Sequence, residues 1–174
     1  MQKVFFILSA IILLNSPCYS QNENSSRGYV VEVGDMAPDF SVKTIEGDTF
    51  TLSENRGKVV MLQFTASWCR VCHIEMPHIE KDIWLPLKEK DFVVVGIDRD
   101  EPLEVAKKFA SKTGITYPLA LDPGGDVFNL YAEKNAGITR NVVINQKGEI
   151  VFLTRLFDKE EFAAMKDVIF NLVK

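Results

Sequence analysis

The chain has 174 residues, 47% of them hydrophobic, enough to bury the core of one domain and giving no sign of a second. Its 20 basic and 24 acidic residues leave a net charge of −4, which offers no basic field for nucleic acid. Proteins or small thiols are the partners this balance leaves open.

The first 20 residues stand apart. Lys3 supplies a short positive region, Val4 to Leu14 is an apolar run too short to span a bilayer, and Asn15 to Ser20 is a polar, small-residue exit. This pattern predicts a signal peptide over residues 1–20, with Cys18 and Ser20 at the small-residue positions and Gln21 first in the product. The protein is therefore expected in the periplasm or cell envelope, with no stable membrane insertion. The alternative is a lipoprotein anchored through Cys18, against which Pro17 stands directly before it. Residues 21–32, polar at first and then weakly alternating, read as a flexible leader, and residues 33–174 as one domain.

Phe40–Lys43 and Thr49–Leu52, joined through Glu46-Gly47-Asp48, predict a hairpin of two short strands. Val59 to Thr65 follows, apolar on both faces and so expected at the centre of a sheet. It runs into Trp68-Cys69-Arg70-Val71-Cys72-His73-Ile74-Glu75-Met76-Pro77. If this stretch is helical, Cys69 lies at its N-terminus, where unpaired N–H groups and the positive end of the macrodipole favour a thiolate. Cys72 is one turn further on, close enough to close a small disulfide ring with Cys69. A ring that small removes little unfolded-state entropy, so a purely structural disulfide is a poor account of the pair. The two cysteines read as a dithiol/disulfide redox centre. Glu75 lies one turn beyond Cys72 on the same helical face, a candidate base for its thiol.

Pro77 is expected to kink this helix, with Ile79, Ile83, Trp84 and Leu87 continuing its apolar face. Phe92–Ile97 predicts a second buried strand, and Asp98-Arg99-Asp100-Glu101-Pro102 a solvated charged turn in preference to a metal site. A helix over Leu103–Thr113 stops at Gly114. Tyr117–Asp122 reads as extended, Asp126–Ala132 as helix, and Val142–Asn145 with Glu149–Thr154 as a hairpin through Gln146-Lys147-Gly148. Lys159–Val173 closes the chain as an amphipathic helix. This alternation of strands and helices predicts an α/β fold with a mixed sheet.

Trp68-Cys69-Arg70-Val71-Cys72 after a hydrophobic strand, followed by Glu75 and Pro77, resembles the thioredoxin superfamily. Within it the chain is similar to the exported TlpA-like and ResA-like thiol-disulfide oxidoreductases, relatives of the AhpC/TSA and redoxin proteins. Ala37-Pro38-Asp39-Phe40 is similar to their entry segment. The resemblance implies a thioredoxin-like three-layer α/β/α sandwich with an N-terminal β-hairpin extension and a central helix-strand insertion. It implies Cys69 and Cys72 as the redox-active disulfide, Glu75 as the residue that tunes the thiols, and Trp68, Thr139 and Arg140 as lining residues. It also implies protein disulfide or dithiol substrates and a membrane electron donor, with no cofactor and no metal. The expected role is that of a reductant.

Departures from the pattern matter. Val71 stands where the family usually has Pro, and Gln63 where thioredoxins have a proton-handling Asp, a task an amide cannot perform by titrating. Thr139 stands where the family has a cis-proline. A cis bond before any other residue costs roughly 3 to 4 kcal/mol, so a trans peptide is expected there. Arg140 beside it would set a positive charge near Cys69.

Other readings stay open. Cys69-Arg70-Val71-Cys72-His73 is a formal haem-attachment signature, with His73 as axial ligand. A thiol peroxidase is a second, although position 66, three residues before Cys69, is Ala and lacks the hydroxyl such enzymes use. A binding or chaperone role with incidental thiols is a third.

Overall fold

The computed structural model describes residues 27–173, so the signal peptide expected over 1–20 and residues 21–26 of the expected leader lie outside the described residues. The hairpin strands are β1 (Ser41–Thr44) and β2 (Thr49–Thr51). The long central strand is β3 (Val59–Thr65), every residue of which is buried, and it delivers the chain to helix α1 (Arg70–Ile79). The helix passes through Pro77 and changes to π-helical winding over Glu80–Trp84 before the short α2 (Leu85–Leu87). There follow β4 (Phe92–Arg99), α3 (Leu103–Thr113), β5 (Leu119–Asp122), α4 (Asp126–Tyr131), β6 (Arg140–Ile144), β7 (Ile150–Arg155) and α5 (Lys159–Leu172).

The strands form one mixed sheet in the order β2-β1-β5-β4-β3-β6-β7. β3, β4 and β5 run parallel, and the remaining pairings are antiparallel. The two parallel crossovers place α1 and α3 on the same face, where His73 packs edge-on to Phe109. α5 joins that face through Phe162 against His78. α4 covers the other face, with Phe128 and Tyr131 against Phe64 of β3. The result is the α/β/α sandwich expected, with the hairpin added at the β5 edge.

The segment just ahead of the domain differs from expectation. Of residues 21–32, read as flexible leader, the described part is fastened to the sheet. Tyr29 is buried and its hydroxyl donates to the carbonyls of Asn141 and Thr154, while Val30 N–H donates to Tyr131 O. The Arg27 guanidinium grips Glu161 of α5. Gly28 has φ +75, and a Cβ there would lie 3.0 Å from Arg140 Nη2. Only glycine lets the backbone come close enough for Arg140 to donate to the Arg27 carbonyl at 2.7 Å. The weak alternation of Tyr29 and Val31 was the sequence signal for this packing.

Because Tyr29 fills a buried site, Tyr29→Ala is expected to lower stability by about 3 to 5 kcal/mol in urea denaturation.

Candidate functional site

The redox pair sits where β3 hands over to α1. Cys69 is the N-cap of α1, in an extended conformation, and Cys72 lies in the first turn. The two are disulfide-bonded. Cys69 Sγ accepts the Cys72 backbone N–H at 3.2 Å, so a helix-terminal donor is already aimed at the sulfur that would carry negative charge. Cys69 keeps a small exposed edge of 7%, whereas Cys72 is sealed at 0%. An incoming sulfur therefore reaches Cys69 first.

Thr139 closes the other side. Its hydroxyl lies 3.0 Å from Cys69 Sγ and 3.4 Å from Cys72 Sγ, and is itself buried. No cis peptide occurs among the described residues, so Thr139 enters the site through the trans bond expected. Its carbonyl accepts Leu156 N–H at 3.1 Å, which pins the loop to the end of β7. Trp68 precedes the pair and is 67% exposed, a broad apolar face open to a partner.

Arg140 does not line the dithiol. It pairs in register with Phe64, which faces α4, and strand pleating sends both side chains to that side of the sheet. Its guanidinium lies 4.5 Å over the Tyr29 ring and donates to Gly137 O at 3.0 Å. Thr139 and Arg140 are adjacent, so a residue facing the sulfurs requires its neighbour to face away.

Beneath the dithiol lies a buried polar row that the register builds. Gln63 of β3 pairs with Asn141 of β6, and Asn141 with Thr154 of β7. All three face α1, and Glu75, only 1% exposed, comes down onto them. Asn141 Nδ2 donates to Glu75 Oε1 at 2.7 Å and to Thr154 Oγ1 at 2.8 Å. Gln63 Nε2 lies 3.4 Å from Glu75 Oε2, and Gln63 Oε1 accepts the Tyr117 hydroxyl at 2.7 Å. Gly96, the β4 register partner of Gln63, gives Leu119 room beside this row: a Cβ there would lie 2.6 Å from Leu119 Cδ1. Burial pushes the Glu75 carboxyl up to about 7, against the pull of the Asn141 and Gln63 hydrogen bonds. A carboxyl poised there can exchange a proton with a neighbouring thiol near neutral pH. Sequence reasoning found Glu75 from its helical spacing but missed Asn141 and Tyr117, because only the sheet register brings them to it.

The charged turn also differs from expectation. Asp100 is half exposed, but Asp98, read as solvated, is fully buried at the end of β4. Among the described residues no group of three His, Cys, Asp or Glu is arranged to hold a metal ion. No helix among them is long and apolar enough to cross a membrane. His73 is half-buried, with Nε2 2.8 Å from Ser67 O.

Comparisons with known proteins agree with this geometry. The sequence model of the AhpC/TSA family matches residues 33–153. The chain is 28% identical over 150 residues to the thiol-disulfide oxidoreductase ResA of Bacillus thuringiensis subsp. konkukian, covering 83% of this chain and 85% of that one. It is similar to a Bacteroides thetaiotaomicron structure provisionally assigned as a protein disulfide isomerase. That match has 60% identity and a TM-score of 0.81, over 83% of this chain and 92% of the other. A Chlorobium tepidum structure provisionally assigned as the thiol:disulfide interchange protein DsbE matches at 28% identity and a TM-score of 0.73, over 82% and 98% of the two chains.

The raised Glu75 carboxyl has a consequence for stability. The folded state holds a proton that the unfolded chain releases near 4.5, so the stabilisation is complete below pH 4.5 and is lost as pH rises through about 7. The stability difference between the oxidised wild type and Glu75→Gln is expected to change by about 3 kcal/mol between pH 4 and pH 8, measured by denaturant titration at each pH.

Proposed function

The chain belongs to the AhpC/TSA family as a ResA/TlpA-like thiol-disulfide oxidoreductase of the thioredoxin superfamily, and from that premise we propose that it reduces disulfides of exported proteins. The observation that carries the division of labour is the contrast between Cys69, reachable at a helix N-cap, and Cys72, sealed above Glu75.

In the reduced protein the Cys69 thiolate attacks one sulfur of a client disulfide. A Cys69–client bond forms, the client S–S bond breaks, and the first client sulfur leaves as a thiolate that takes a proton from water. The Cys72 N–H that faces Cys69 Sγ and the Thr139 hydroxyl stabilise the attacking thiolate. Glu75 then accepts the Cys72 proton, and the Cys72 thiolate attacks Cys69 Sγ. The Cys69–Cys72 disulfide forms and the second client sulfur leaves as a thiolate. Gln63 and Asn141 do not titrate; they hold the Glu75 carboxyl in place. Trp68 and Thr139 line the surface the client meets, and Arg140 supports the Thr139 loop from behind. The two electrons lost per turnover are restored by an external dithiol, for which a membrane protein of the exporting cell is the proposed donor. The signal-peptide pattern of residues 1–20 supports the envelope as the compartment.

Cys72→Ala is expected to accumulate mixed disulfides with clients, seen as thiol-reversible adducts on non-reducing gels, and Cys69→Ala to form none. Normal turnover by Cys72→Ala contradicts the mechanism. The reductant role predicts a reduction potential near about −270 mV in thiol/disulfide buffers; a value toward about −120 mV makes the protein an oxidant.

A further inference from the structure

Asp98 takes no part in the mechanism above, yet it occupies a position hostile to a carboxylate. It is fully buried, and neither of its carboxyl oxygens has a hydrogen-bond donor. Thr65 sends its hydroxyl to Met76 of α1, so its register partner Asp98 faces the same side, at the C-terminal end of the central strands, where β3 leads into the dithiol. Its partners on β3 and β5, Thr65 and Leu121, are uncharged. The charged group that faces it comes from the loop ahead of α3 and is Glu101. From α1 the titratable group at this end is His73, turned onto Ser67 O and against Phe109 of α3.

Glu101 is committed elsewhere. Its two oxygens accept the Ser67 backbone N–H at 2.5 Å and the Ser67 hydroxyl at 2.6 Å. Asp100, at φ +61, makes the turn that brings Glu101 back over Ser67, a left-handed conformation uncommon for a residue other than glycine. Ser67 stands two residues before Cys69, and its carbonyl takes the His73 Nε2–H. Both backbone polar groups of Ser67 are thus held, one through Glu101.

An ionised Asp98 would set a buried negative charge, with no donor of its own, against the half-buried Glu101 carboxylate. A protonated Asp98 instead donates its O–H to Glu101 and extends the chain Asp98–Glu101–Ser67. We infer that Asp98 and Glu101 share one proton, and that this proton holds the Ser67–Cys69 turn so that Cys69 is presented for attack. Asp98 is then a positioning residue of the reaction. Burial first, and the Glu101 charge second, push the Asp98 carboxyl up to about 8. The proton therefore stays through neutral pH and leaves in mildly alkaline solution, where repulsion between the two carboxylates loosens the hold on Ser67.

The test follows the Ser67 amide by proton–nitrogen NMR in the full chain, with Cys69 and Cys72 oxidised so that neither titrates. In the wild type the Ser67 amide proton resonates far downfield and shifts upfield with a midpoint near pH 8. In Asp98→Asn, whose amide still donates to Glu101, the resonance stays in place from pH 6 to 9.5. In Glu75→Gln the wild-type midpoint is kept. A parallel measurement takes reduced protein at pH 7 with a small aromatic disulfide: Asp98→Ala slows the reaction about tenfold and Asp98→Asn restores it. A Ser67 resonance that does not move in the wild type, or still moves in Asp98→Asn, overturns the inference, as does a wild-type rate in a folded Asp98→Ala. The rate measurement rests on Cys69 as the attacking thiol, but the titration of the disulfide form does not, so failure of that reading and failure of this one give different results.

Discussion

A carboxyl group enclosed under a disulfide, with side-chain amides as its hydrogen-bond partners, is the constraint on which the rest of the site depends. Glu75 can sit there because three strands place Gln63, Asn141 and Thr154 in one row across the sheet, and the α1 helix lowers Glu75 onto them. Each neighbour is neutral. Gln63 and Asn141 donate and do not titrate, and the Tyr117 phenol, itself held protonated by burial, donates from beneath. The proton equilibrium of this polar row is thereby concentrated on Glu75, one turn along the helix from the sealed sulfur. Where thioredoxins have a carboxylate on the strand, this chain has an amide on the strand and its carboxylate on the helix.

The dithiol itself is held between two turns that belong to the sheet and not to the helix. On one side Thr139 offers a hydroxyl to both sulfurs, and its backbone is tied to the end of β7 through Leu156. On the other, Ser67 is gripped through Glu101 by the loop that ends β4. Substituting Thr for the usual proline exchanges a rigid apolar wall for a hydrogen-bond donor. A hydroxyl within reach of a sulfur stabilises the Cys69 thiolate, the form that attacks a client disulfide. Val71 between the cysteines contributes no donor of its own beyond its backbone.

Much of this was legible in the sequence because it depends on local pattern. The apolar run Val59–Thr65, the spacing of Cys69 and Cys72, and the position of Glu75 one turn on are all short-range facts, and helix and strand periodicity convert them into geometry. The residues that complete the site are joined by register, which no short stretch encodes. Asn141 and Tyr117 are 66 and 54 residues from the partners they bond, Glu75 and Gln63. Arg140 was misplaced for a different reason. It was read by its neighbourhood to Thr139, when strand alternation required the opposite face. Asp98 was read by its charge, when its place at the end of a central strand decided its burial. Tyr29 and Val31 alternate over too few residues to outweigh the polar stretch before them.

The most direct test of the account is the reduction potential of the Cys69/Cys72 pair measured from pH 5 to 9 in the wild type and in Glu75→Gln. If Glu75 exchanges its proton with the dithiol, the wild-type curve bends near pH 7, where its carboxyl titrates, and the Gln variant runs straight through that region. Two curves of the same shape, offset or superimposed, would show that the buried carboxyl is a spectator and that the site handles its protons by another route.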